Sequence, residues 1–175
     1  MVTDASVRPA VVLIGPPGAG KTTIGKALAA ELDVAFHDTD AAIEADQACS
    51  ISDIFVTEGE PAFRVLERAE VARSVAHERG VVALGGGAPM DAETQGVLTD
   101  QLVVFLDVTI ADAAKRVGFD ASRPLLVINP RAAWTKLMNE RRPTYERVAT
   151  HRINTAGRAV DDVVAEIAEH LRASQ

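Results

Sequence analysis

Short apolar runs alternate with longer amphipathic ones along the whole chain. Ala10–Ile14 is continuous, β-branched and too short for a helix, the pattern of a strand buried on both faces of a parallel sheet. Ile24, Leu28 and Leu32 follow at four-residue spacing and predict a helix from Thr22 to Leu32. Val34–His37 predicts a second strand, ending at Asp38-Thr39-Asp40. Residues 41–60 hold short helical pieces, Ala41–Ala45 and Ile51–Val56, closed by Glu58-Gly59-Glu60. Pro61 suits the first turn of a long helix reaching Arg79, with Phe63, Leu66 and Val71 toward the core, and Gly80 ends it. Val81–Leu84 predicts a third strand, Met90–Leu98 a weak helix and Gln101–Asp107 a strong fourth strand. Thr109 with Asp112 three residues on starts a helix that runs to Val117. After the polar loop Gly118–Arg123, a helix from Arg131 to Arg142 is broken by Pro143. His151–Asn154 predicts a last strand, and Val160, Val163, Val164, Ile167 and Leu171 mark an amphipathic final helix.

Such alternation predicts an α/β fold of three layers, α/β/α, in which helices cover both faces of a five-stranded parallel sheet. No internal repeat and no low-complexity linker interrupts the chain, and 175 residues fit one domain. In sheets of this kind ligands lie beyond the carboxyl ends of the strands. Gly15, the Asp38/Asp40 pair and the run Gly85-Gly86-Gly87 all follow strands directly, so they are expected on one rim.

Composition narrows the class. Hydrophobic residues make up 47% and charged ones 25%, ordinary values for a globular protein and not for a disordered chain. A formal net charge of −7 argues against nucleic acid as a partner, because that binding needs a basic face. No apolar run approaches the roughly 20 residues of a membrane span. Met1–Pro9 lacks the apolar core of a signal peptide and reads as a frayed lead-in. The single cysteine, Cys49, reads as a small buried hydrophobe in a reducing cytoplasm. No exposed apolar stripe declares an interface, and a monomer is expected.

The chemistry is concentrated at Gly15-Pro16-Pro17-Gly18-Ala19-Gly20-Lys21-Thr22, which fits G-x-x-x-x-G-K-[ST] without mismatch and stands between a strand and a helix. Glycines let successive backbone N–H groups close on phosphate oxygens, and the helix that follows adds its positive end. Lys21 can then reach the β- and γ-phosphates of ATP, and Thr22 can take one position on Mg²⁺. Asp38 and Asp40, two apart at a strand end, point to the same side if the extended geometry persists. One carboxylate near Mg²⁺ and another near an acceptor hydroxyl is what phosphoryl transfer requires. The alternative is that these aspartates cap the next helix. The triple glycine lets backbone approach a ligand closely. Arg64, Arg123 and Arg141 are either solvated charges or forks for a carboxylate or phosphate. The four histidines have no metal-ligand spacing, and Trp134 and the other aromatics read as packing residues.

Together these segments resemble the shikimate kinase family, P-loop kinases related to the nucleoside monophosphate kinases. The resemblance runs from about Val11 to Leu171. It rests on Gly15–Thr22, Asp38-Thr39-Asp40, Glu60-Pro61-Ala62-Phe63-Arg64, Leu84-Gly85-Gly86-Gly87-Ala88, Arg123-Pro124-Leu125-Leu126 and Arg141-Arg142-Pro143-Thr144-Tyr145. It implies a P-loop NMP-kinase-like sheet of order 2-3-1-4-5, a substrate-binding region over about residues 41–70 and a lid over about 118–130. By the same resemblance Lys21 holds the β/γ-phosphates, and Gly18, Ala19, Gly20, Thr22 and Thr23 complete the phosphate site. Thr22 and Asp38 serve Mg²⁺. Asp40 binds shikimate hydroxyls and accepts the proton, and Arg64 and Arg141 grip the carboxylate. Gly86 and Gly87 bind substrate through their backbone, Arg123 bridges substrate and γ-phosphate, and Arg116 and Arg158 flank the adenine. The family pattern R-x-P-x-Y selects Arg141 and leaves Arg142 solvated. The implied reaction is transfer of the γ-phosphoryl group of Mg-ATP to shikimate. Two other readings stay open from the residues alone: a kinase for another small acceptor such as gluconate or a nucleoside monophosphate, and an ATP-binding regulatory module without turnover.

Overall fold

Strands β1 (Val11–Ile14), β3 (Val81–Ala83) and β4 (Val103–Asp107) are buried at every position. Apolar side chains alternate to both faces of a strand, so such runs are stable only in a sheet covered on both sides. The computed structural model, which describes residues 9–117 and 129–174, has that architecture. Its five-stranded sheet has the order β2-β3-β1-β4-β5, with β2 at Phe36–Asp38 and β5 at His151–Asn154. All four pairings are parallel. Both the all-parallel sheet and the order match expectation. The edge strands are less buried: β2 is half-buried throughout, and only Ile153 of β5 is fully covered.

Register fixes the rim. Leu13 and Asp38 both lie opposite Ala83, so Gly15, Asp38 and the glycine run after Leu84 emerge at one end of neighbouring strands. The main core joins Leu13, Ile14, Phe105 and Leu106 of the sheet to Leu28 of α1 (Lys21–Leu32) and Ile167 of α8 (Val160–Ala173). A second, smaller core of Ile43, Ile54 and Phe63 ties α2 (Thr39–Gln47), α3 (Ile51–Thr57) and the start of α4 (Glu60–His77) together, with Cys49 packed half-buried against it. Residues 41–70 therefore carry an apolar cluster of their own beside the sheet. Helices α5 (Ala92–Leu98) and α6 (Ile110–Val117) fall where the pattern placed them. No helix among the described residues is long and apolar enough to cross a membrane.

Two expectations fail on local grounds. The second strand starts at Phe36, two residues late, and Thr39 already opens α2, so the extended backbone does not reach Asp40. Pro143 does not end its helix either, for α7 runs from Pro130 to Val148 through it. An internal proline costs a helix about 3 kcal/mol. Anchors on both sides offset that: Trp134 and Met138 are buried before it, and Tyr145 is buried after it, stacked on Phe105 at 5.1 Å.

Candidate active site

The loop between β1 and α1 is held from behind. Every carbonyl from Gly15 to Gly20 has a donor: Lys21 Nζ for Gly15 (2.7 Å) and Pro16 (3.1 Å), Trp134 Nε1 for Pro17 (2.9 Å), Arg116 Nη1 for Gly18 (3.2 Å) and Ala19 (3.1 Å), and the Ile24 amide for Gly20 (2.8 Å). The amides of Gly18, Gly20, Lys21 and Thr22 have no acceptor among the described residues. Donors therefore collect at the positive end of a 12-residue helix, the chemistry of an anion site. Crowding by protein atoms pushes the Lys21 ammonium down to about 8, with Arg141 acting in the same direction and Asp40 and Asp38 opposing.

Asp38 divides its two oxygens. Oδ1 accepts from the amides of Asp40 (3.0 Å) and Ala41 (3.1 Å) and so caps α2. Oδ2 accepts from the Thr22 hydroxyl at 3.1 Å. The capping alternative thus holds for one oxygen only, and the other faces the phosphate loop. A hydroxyl and a carboxylate side by side are hard oxygen donors that fit Mg²⁺, which takes one or two protein oxygens and completes its shell with phosphate and water. No cluster of three histidine, cysteine or acidic residues able to hold a metal ion exists among the described residues.

Asp40 stands in the first turn of α2, turned against the glycine run. A Cβ on Gly85 would lie 2.5 Å from Asp40 Oδ1, so glycine there makes room for the carboxylate. That Oδ1 is buried and has no hydrogen-bond partner among the described residues. Buried polar atoms are normally satisfied, and an orphan in a cleft marks a place for a ligand donor. Burial, then the nearby Asp38 and Glu67 carboxylates, push the Asp40 carboxyl up to about 6 against the pull of Lys21.

The next two glycines face two arginines. A Cβ on Gly87 would lie 2.6 and 2.7 Å from the Arg64 Nη atoms, and one on Gly86 3.2 Å from Arg141 Nη1. Tyr145 fixes the run by donating its hydroxyl to the Gly86 carbonyl at 2.6 Å. Arg64 projects from the first turns of α4, where Glu67 (2.7 Å) and Glu60 (3.0 Å) hold its guanidinium. Glu67 is only 3% exposed, and burial raises its carboxyl above the usual range. Arg141 has no carboxylate within ion-pair distance among the described residues. Asp40, Arg141 and Arg64 thus each lie against one of three residues without side chains.

Arg142 corrects an expectation. It is not solvated but forks onto Asp107, Nη1 to Oδ2 at 2.9 Å and Nη2 to Oδ1 at 3.0 Å. Arg152 binds the same carboxylate. These three line a separate cleft of about 350 Å³ between β4, β5 and α7, which none of the expected site residues borders. Arg116 reaches the loop from α6 and also binds Thr155, through Nη1 to its hydroxyl and Nη2 to its carbonyl, both 3.2 Å. Arg158 sits beyond β5, paired with Glu166 at 2.6 Å, and its amide donates to the Thr155 carbonyl. Arg116 and Arg158 therefore meet at Thr155, beside the loop. Thr23 is exposed on the first turn of α1. Arg123 lies outside the described residues.

Sequence reasoning missed Glu67, Trp134 and Tyr145. Glu67 carried a signal, since three residues after Arg64 on one helix places the two side by side. Trp134 signals only packing in the sequence, because its bond to Pro17 spans 117 residues. Tyr145 entered only as a letter of a motif.

The shikimate kinase family model matches residues 17–172. A shikimate kinase of Thermobifida fusca is 51% identical over 169 residues, 97% of this chain and 98% of that protein. One from Salinispora arenicola is 49% identical over 95% of this chain and all of its own. Among solved structures, a shikimate kinase from Acinetobacter baumannii in complex with shikimate superposes with a TM-score of 0.90 at 33% identity, covering 97% of this chain and 96% of that one. With the fold, the sequence of motifs and these relatives in agreement over nearly its whole length, the chain belongs to the shikimate kinase family.

Proposed function

We propose that this chain transfers the γ-phosphoryl group of Mg-ATP to the 3-hydroxyl of shikimate, giving shikimate 3-phosphate and ADP, one step of the route to chorismate and the aromatic amino acids. The observation that carries this is the ring around Gly85–Gly87. A buried carboxylate oxygen on Asp40, without a partner among the described residues, lies against Gly85. Arg141 and Arg64 lie against Gly86 and Gly87, Arg141 with no carboxylate at ion-pair distance among the described residues, and the phosphate loop adjoins Gly86. A small acid bearing hydroxyls satisfies all of these groups at once. A nucleoside monophosphate would leave a buried carboxylate facing its base.

In this reading Arg64 and Arg141 bind the shikimate carboxylate, and the Gly86 and Gly87 backbone lines the ring. Asp40 Oδ1 accepts the bond of the reacting hydroxyl and takes its proton as the oxygen attacks, a task suited to a carboxyl near 6. Gly18, Ala19, Gly20, Thr22 and Thr23 cradle the phosphates, while Lys21 exchanges its loop carbonyls for β- and γ-phosphate oxygens. Thr22 and Asp38 would hold Mg²⁺, which when bound would supply charge neutralisation of the phosphates. Arg123 bridges substrate and γ-phosphate, a role resting on its motif, and Arg116 and Arg158 flank the adenine. Residues 41–70 form the substrate-binding region, and the chain acts as a cytoplasmic monomer without nucleic-acid or membrane partners.

The test is ADP release from Mg-ATP, coupled to NADH oxidation, with shikimate, AMP, gluconate or no acceptor. Turnover with shikimate alone, lost in Asp40→Ala, is the expected result. Turnover with AMP or gluconate instead would replace the substrate, and nucleotide binding without turnover would make the chain a regulatory module.

A further inference from the structure

Trp134 is the only tryptophan in the chain, and it is 8% exposed. A packing role requires its ring alone, yet its indole N–H is aimed across the fold at the Pro17 carbonyl, 2.9 Å away. In a trans peptide the C=O and the next N–H point in opposite directions. Whatever holds the Pro17 oxygen therefore also sets the direction of the Gly18 N–H. That amide has no acceptor among the described residues and belongs to the set that faces a phosphate.

The same peptide is the weak point of the loop. Gly18 has φ of +83°, and a Cβ there would lie 2.8 Å from Val117 Cγ2 and 2.9 Å from Ala113 Cα, because α6 packs flush against it. Only glycine fits, and glycine adopts either sign of φ with little preference. The peptide between Pro17 and Gly18 can therefore flip, which would turn a carbonyl dipole toward the phosphates in place of an N–H. The neighbouring carbonyls of Gly18 and Ala19 are secured by Arg116, that of Gly15 by Lys21, and that of Pro16 by Lys21 and the Ala19 amide. Among the described residues Pro17 has only Trp134. When Lys21 turns to a nucleotide it frees the Gly15 carbonyl, while the Ala19 amide still holds Pro16 and the indole still holds Pro17.

We infer that Trp134 is a positioning residue for nucleotide binding: its indole N–H locks the Pro17–Gly18 peptide in the orientation that presents the Gly18 N–H to the phosphates of ATP and ADP. This rests on the assignment of the loop as the nucleotide site. Trp134→Phe keeps most of the ring and removes the donor. Calorimetry with ADP, and separately with shikimate, reads the effect. Loss of one hydrogen bond of ordinary strength weakens ADP about fivefold, and shikimate affinity stays at its wild-type value. In the ¹⁵N-labelled wild-type protein the single indole N–H resonance shifts on adding ADP and not on adding shikimate. Unchanged ADP affinity in the variant overturns the inference, as does an equal loss for both ligands, which would mean general loosening of α7. If the wild-type protein itself binds no ADP, the nucleotide assignment fails first and the inference with it.

Discussion

Asp40 carries a tension between folding and chemistry that can be measured. Burial and the neighbouring carboxylates of Asp38, Glu67 and Glu44 raise its carboxyl from the ordinary 3.8 to about 6. A rise of about two units corresponds to about 3 kcal/mol against the ionised form, and partial exposure of the side chain screens this to about 1–2 kcal/mol in practice. The sign is fixed by linkage. The native state holds this proton more tightly than the unfolded chain, so stability is undiminished below pH 4, falls as pH rises toward about 6, and stays reduced above it. Asp40→Asn has nearly the same shape and no charge to bury. Thermal unfolding of the ligand-free, metal-free protein should therefore show the variant about 4 °C more stable at pH 8. That advantage should vanish near pH 4, where the wild-type carboxyl is protonated. Turnover with shikimate should fall at least ~10²-fold in the same variant, because the proton acceptor is gone. A variant no more stable at pH 8, or equally favoured at both pH values, would refute the electrostatic account of this site.

The same cleft sets how the enzyme responds to pH and to loss of its arginines. Asp40 must be ionised and Lys21 protonated, so kcat/KM for ATP should be bell-shaped, with limbs near 6 and 8 that belong to the coupled pair, read from initial rates between pH 5 and 10. Saturating ATP should move the alkaline limb of kcat upward, because bound phosphate favours the charged lysine. Arg141→Ala should raise KM for shikimate at least ~10-fold and leave KM for ATP nearly unchanged, since it removes a charged hydrogen-bond donor beside Gly86. Asp107→Asn should lower stability at pH 7 by about 2 kcal/mol and Tm by about 6 °C, with a smaller difference in acid. Its arginine partners hold the native carboxyl below the usual range, so their contribution is present above the unfolded pKa and lost as pH falls.

What could be read from the chain was what neighbours in sequence determine. Gly15–Thr22 specifies its own turn, its lysine and its hydroxyl within eight residues, and the continuous apolar runs at β1, β3 and β4 leave no choice but a doubly covered parallel sheet. Strand order is not local, and it came through the family resemblance. The misjudged stretches are those where distant partners outweigh local preference. Proline at 143 is a helix breaker by propensity, but Tyr145 and Arg142, just after and before it, are held by Gly86 and Asp107, 59 and 35 residues away. Arg142 looked like the solvated member of an arginine pair for the same reason, since Asp107 ends a strand and nothing near it in sequence signals a counter-ion.

Those distant partners also explain why two adjacent arginines have opposite fates. On a helix, consecutive side chains point about 100° apart, so Arg141 and Arg142 cannot serve one site. Asp107 takes Arg142 through both of its terminal nitrogens and sets the rotation of α7 about its axis. Tyr145, on the face shared with Arg141 at the i+4 position, is thereby turned to Gly86, and Arg141 follows it. The ion pair at Asp107 thus orients the helix from outside the ring, and an arginine inside it with no carboxylate partner among the described residues is the consequence. If that is the cause of Arg141's placement, Asp107→Asn should carry a second signature beyond its lower Tm. KM for shikimate should rise at temperatures where the variant is fully folded, while ADP affinity by calorimetry stays constant. A variant that melts earlier yet keeps its shikimate KM would leave Tyr145 alone as the residue that aims Arg141.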